Sequence, residues 1–121
     1  MATLVVNSGL AIITNRMKGA GTEPVDGGWG TGAGTTAATD TTLFTEVETP
    51  RIAGASTQQT TTVTNDTYQV VVTRTAASIE TITNHGLFDA TTAGNLFFKG
   101  DFTGLALAIG DSIQFTDQVV F

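Results

Sequence analysis

Threonine supplies about a fifth of this chain, while Lys, Leu and Glu, the ordinary material of exposed helices, are sparse. Branched Thr and Val lose side-chain freedom in a helix and fit a pleated surface better, so the bias points to β structure. The clearest strand is Thr67-Tyr68-Gln69-Val70-Val71-Val72-Thr73-Arg74-Thr75. There Tyr68, Val70 and Val72 fall on one face and Gln69, Val71 and Thr73 on the other, as expected of a central strand. The last third adds two extended segments around a turn, 79–89 and 94–102, and an amphipathic run from Asp111 to Phe121. The large aromatic at position 121 is expected to sit in a sheet or a contact.

The 121 residues fit one domain with one modest core. About seven short strands, one short helix and no internal repeat make the expected fold all-β, an antiparallel β-sandwich with jelly-roll-like connections. The run 56–64 is extended by propensity but polar on both faces, which suits an edge or intersubunit strand, joined to the central strand by a tight Asn65-Asp66 turn. The helix is expected over Ser8–Met17, capped by Ser8, with Leu10, Ile13 and Met17 along one stripe and Gly19 ending it; the isoleucine pair and Thr14 suit a strand as well, so a single helical turn after an N-terminal strand is the alternative. Residues 19–42 shift to Gly, Thr and Ala and read as a loop or arm for contacts with neighbours. The segment from Leu43 should open with a helical turn and become a strand that Pro50 confines to an edge or a bend.

Charge narrows the function classes. A net charge of -6, with five scattered Lys and Arg, argues against direct nucleic-acid binding, and no apolar run is long enough for a membrane helix. The first residues carry no basic region before their apolar block, so no export signal is expected. Cysteine is absent, which removes disulfides and thiolate metal sites.

Candidate chemistry is thin. Gly32-Ala33-Gly34-Thr35-Thr36-Ala37 matches the Ala-ending dinucleotide fingerprint but lacks an apolar strand before it and a helix-forming run after it, so a contact loop is the reading, with no cofactor. His85 is the only histidine, and a turn or interface role is favoured over catalysis. Glu46, Glu48 and Glu80 could be read as paired acids for glycoside cleavage, the reading of a carbohydrate-active enzyme. The preferred alternative is structural: Glu46 or Glu80 paired with Arg51 or Arg74 across strands. Asp66, Asp89, Asp101 and Asp111 sit beside turns and should cap backbone amides, with no metal bound. Trp29 is either a core anchor, the favoured role, or a partner-binding aromatic, and Thr31, Phe98 and Phe121 join it as candidate partner contacts. Phe98 belongs to Leu96-Phe97-Phe98-Lys99, where both faces of a strand are apolar, so one must be covered by the helix or by a neighbouring subunit.

In order, the motifs are Asn7-Ser8-Gly9-Leu10, Trp29-Gly30-Thr31-Gly32, Thr41 to Leu43 with Glu46 and Arg51, His85-Gly86-Leu87-Phe88-Asp89, Gly94-Asn95-Leu96, Gly100-Asp101-Phe102 and Gly110-Asp111-Ser112-Ile113-Gln114-Phe115. Over most of the chain this series resembles small bacteriophage structural proteins, found as capsid decoration (cement) proteins and as tail-fibre-associated modules. Fibre-associated members carry an acidic residue before Gly-Leu-Phe where this chain has His85, and the chain stands without a fibre shaft, so the resemblance favours decoration. It implies a non-enzymatic protein on the capsid exterior, made in the host cytoplasm, bound to the major capsid protein and self-associating, with trimers favoured. A tail-fibre or baseplate module is the alternative.

Overall fold

The structure is a computed structural model and describes residues 3–121; Met1 and Ala2, the start of the N-terminal run read above, lie outside the described residues. The described chain forms β1 (Thr3–Val5), α1 (Asn7–Met17), β2 (Asp26–Gly30), β3 (Glu46–Ala53), β4 (Ala55–Gln59), β5 (Thr67–Thr75), β6 (Glu80–Phe88), β7 (Leu96–Leu107) and β8 (Ser112–Val120). The strands make an all-β sandwich of two antiparallel sheets, one ordered β1-β7-β6-β2-β3 and the other β4-β5-β8.

β5 is the centre of the smaller sheet, with Val70 and Val72 buried inward. They meet Leu87, Phe97 and Phe98 of the larger sheet and Ile12 of the helix. A second cluster joins Trp29, Ala76, Ile82 and Leu107, and Trp29 meets Phe115 edge to face with ring centres 6.3 Å apart. Pro50 lies in β3, an edge strand, after a cis Thr49–Pro50 peptide.

The helix forms where expected, but a different face is buried. Leu10 and Met17 are exposed, whereas Gly9 and Ile12 are covered. A Cβ on Gly9 would collide with the carbonyl of Phe97, so the missing side chain lets the helix lie directly on β7. Ser8 does not cap the helix; its hydroxyl donates to the Leu96 carbonyl across 2.6 Å, fixing the helix to the sheet. Gly19, at φ +88°, ends the helix with its N–H on the Arg16 carbonyl.

Two local expectations are corrected. The 59–67 connection is a loop, not a two-residue turn: the Asp66 carboxylate accepts the N–H groups of Thr61, Thr62 and Val63 at 2.9 Å each, which organises the loop around one side chain. Residues 19–42 are not one arm. Asp26–Gly30 is a fully buried strand between β6 and β3, and residues 31–45 fold back on the protein itself.

The returning stretch is a strap over the outer face of the larger sheet. Thr31 N–H donates to the Thr45 carbonyl, and Phe44 exchanges two hydrogen bonds with the Asn84 side chain, at 3.0 and 3.1 Å. Asn7 N–H reaches the Ala38 carbonyl and Thr36 N–H reaches Asp101. Leu43 packs with Val6, Phe88 and Leu96, so the second apolar face of β7 is covered from within the chain.

Candidate functional site

Of the five cations, three are internal. Lys99 is fully buried, its ammonium held by Asp40 and the Thr42 carbonyl at 2.9 Å each and set 3.2 Å over the Phe44 ring. Arg51 forks onto Glu46 at 2.7 and 2.9 Å and donates to the carbonyls of Ala90 and Ala93, tying the turn after β6 to β3. This ion pair lies within one strand, not across two as expected. Arg74 donates to the Pro50 carbonyl. The remaining cations, Arg16 and Lys18, both sit at the end of α1. Cations therefore serve the interior, and most of the surface is left acidic or neutral.

Glu48 and Glu80 are neighbouring carboxyls near Arg74 and Trp29, and Glu48 Oε2, Glu80 Oε1 and the Trp29 indole N–H are buried there without a hydrogen-bond partner among the described residues. Burial, helped by the adjacent Glu48, raises the Glu80 carboxyl to about 7. Glu48 moves the other way: burial opposes its charge, but the neighbouring Glu80, the Ala77 amide and the nearby Arg74 outweigh it. Because folded Glu80 keeps a proton that the unfolded chain has lost, stability falls as pH rises from about 4.5 to about 7. Glu80→Gln should remove that slope and raise stability at pH 8 by on the order of 1–2 kcal/mol. Urea midpoints at pH 5 and pH 8 test this, and parallel losses in both proteins would refute the raised Glu80 pKa.

His85 is buried, not in a turn. Its ring stacks on Phe115 at 3.8 Å with 4° between planes, Nδ1 faces the Gly28 carbonyl at 2.8 Å and Nε2 faces Asp117 at 2.6 Å. A carbonyl only accepts, so Nδ1 carries a proton, and Nε2 meets the Asp117 carboxyl. Both nitrogens are committed to holding β6, β2 and β8 together. Above the pair lies a cleft of about 260 Å³, walled by Phe98, Gly100 and Phe102 of β7 and Phe115 and Thr116 of β8.

The carboxylates at turns behave unequally. Asp66, Asp89 and Asp111 each accept local amides, whereas Asp101 reaches the strap. Among the described residues no group of three or more His, Asp or Glu is placed to hold a metal ion.

Of the expected partner contacts, Trp29 is fully buried, the core role favoured for it, and Phe98 nearly so. Their size fills the sandwich instead. Thr31 is half-buried at the start of the strap, while Phe121 is 70% exposed beside a groove of about 290 Å³ with Met17, Pro24 and Tyr68.

The surface best suited to contact is one that single-residue inspection missed. The register of β4, β5 and β8 puts Ala55, Thr57 and Gln59, then Gln69, Val71, Thr73 and Thr75, then Ser112, Gln114, Thr116, Gln118 and Val120 on the outer face of the smaller sheet. None is ionisable. Hydroxyls and amides pair across strands, Gln118 to Gln69 at 2.7 Å and Thr75 to Ser112 at 2.6 Å, and so present ordered donors and acceptors. The signal was available as period-two alternation of Thr, Gln and Ser, but only strand pairing shows that three such stripes adjoin. Comparison with protein-family models, curated proteins and solved structures finds no match to this chain.

Proposed function

We propose that this chain is a structural protein of a bacteriophage particle, a decoration protein that attaches to the outside of the shell and stabilises contacts of the major capsid protein. The observation that carries the reading is the uncharged hydroxyl and amide face of β4-β5-β8 on a chain of net charge -6. The centres of protein–protein contacts are depleted in charge and hydrogen-bonded through neutral groups, which is the chemistry this face offers. The phage context rests on the motif series, from Trp29-Gly30-Thr31-Gly32 to Gly110-Asp111-Ser112.

Purified protein should add to shells lacking it in fixed stoichiometry and raise their melting temperature, since a ligand that binds only the assembled state stabilises that state. Thr73→Lys, which places an ammonium in the middle of the face, should abolish the addition without unfolding the protein. Failure of the wild-type protein to bind shells overturns the assignment, and recovery with tails instead moves it to a fibre or baseplate module.

A further inference from the structure

The two sheets have four edges, and three of them are blunted. β1 is only three residues long and β4 five, both too short to template much pairing, and the part of β7 beyond β1 is interrupted by Gly104. β3 carries Pro50, Glu46, Glu48 and Arg51, and its backbone leaves the strand region at Glu48, where φ is +56°. These are the devices by which proteins protect sheet edges. β8 has the fewest of them. It runs nine residues without Pro, Gly or Lys, and its one charge, Asp117, is turned inward to His85.

The direction of its free backbone groups is fixed by two bonds. Phe121 N–H donates to the Asp66 carbonyl, and the Asp111 carbonyl accepts Ala76 N–H, both toward the β5 side. Alternation along an antiparallel strand then turns the odd positions toward β5 and leaves the N–H and C=O of Ser112, Gln114, Thr116, Gln118 and Val120 at the open edge.

We propose that β8 pairs antiparallel with β8 of a second copy of this chain about a two-fold axis at Thr116. Thr116 then faces its own counterpart, Gln114 faces Gln118, and Ser112 faces Val120, so each open-edge amide finds a carbonyl. Two chains of net charge -6 repel wherever carboxylates meet, and the outward side chains of β8 contain none. The joined sheet runs β4-β5-β8-β8-β5-β4 and ends on the two short β4 edges, so growth stops at the dimer. Pairing also covers the cleft over His85 and Asp117, which opens between the β8 edge and β1–β7 and exposes part of Phe102 and Phe115. The pairing is a property of the edge and holds whatever particle the protein joins; the family resemblance implies trimers, whereas this edge closes in twos.

Sedimentation of the purified chain should give twice its 12.5 kDa mass, with a melting temperature that rises with protein concentration. Thr116→Pro removes an N–H that bonds nothing within the chain, so it should yield a monomer with an unchanged circular dichroism spectrum. Thr116→Lys, which brings two ammonium groups together at the axis, should do the same, while Ile79→Lys at an equally open loop position should leave the dimer intact. A wild-type monomer, a trimer, or a dimer that survives both Thr116 substitutions overturns the proposal. Shell binding plays no part in this measurement, so its outcome and that of the decoration assay are read separately.

Discussion

Asp40→Ala is expected to destabilise the protein by about 3 kcal/mol, the scale for removing one member of a buried ion pair. The reason is the partner it leaves behind. Lys99 is wholly enclosed, and without Asp40 its ammonium keeps only the Thr42 carbonyl and the Phe44 ring. Lys99→Met should cost within about 1 kcal/mol, because an apolar chain of similar length fills the same space and Asp40, one-fifth exposed, can turn to water. Urea denaturation of the two variants gives the comparison, and equal losses would show that the strap is held by packing alone. The hydrogen bond from Lys99 holds the Asp40 carboxyl below its ordinary 3.8. Its contribution is therefore present above that pH and is lost as pH falls through the lowered value. Acid should release the strap before it dissolves the sandwich, and the strap amides of Phe44 and Gly32 should lose hydrogen-exchange protection first.

His85→Ala is expected to cost about 3–5 kcal/mol, comparable to an aromatic truncation in a core. It removes a ring stacked on Phe115, opens a void under the cleft and leaves the Asp117 carboxylate buried with no partner. Asp117→Asn should be milder, about 1 kcal/mol, since the amide can donate to Nε2 of a neutral ring whose Nδ1 still bonds the Gly28 carbonyl. Thermal or urea unfolding ranks them, and an Asp117→Asn loss as large as that of His85→Ala would place the stabilisation in ionic attraction and not in packing. The pair stands where β8 meets β6 and β2, so loss of His85 should also loosen the open edge proposed for dimer pairing. In that event the His85→Ala dimer dissociates at lower concentration of urea than it unfolds.

How far the chain can be read without its fold differs element by element. β5 and β8 are legible because one inward and one outward stripe alternate along each, and β7 because Leu96-Phe97-Phe98 is an apolar run in an extended segment. The helix is legible from its apolar content and Gly19, although its buried face is not, since Gly9 faces inward for the sake of a carbonyl on a distant strand. β2 is hidden: Asp26-Gly27-Gly28-Trp29-Gly30 has three glycines in five positions and no alternation to detect. It is a strand because β6 and β3 flank it on either side and supply its hydrogen bonds. The same holds for the site. Phe98 and His85 carry the marks of contact residues in the linear chain, yet each is spent on the interior, whereas Trp29 takes the core role favoured for it.

Threonine bias, strand alternation and missing cysteine already dictate an antiparallel β protein that relies on packing, because these preferences act within a few residues of one another. Which cations go inside, where the Gly-rich strap lies and how three neutral stripes join into one face depend on groups brought together from distant positions in the chain. Such contacts carry their energy only once the sheets have closed and water has left, and no local pattern records that event.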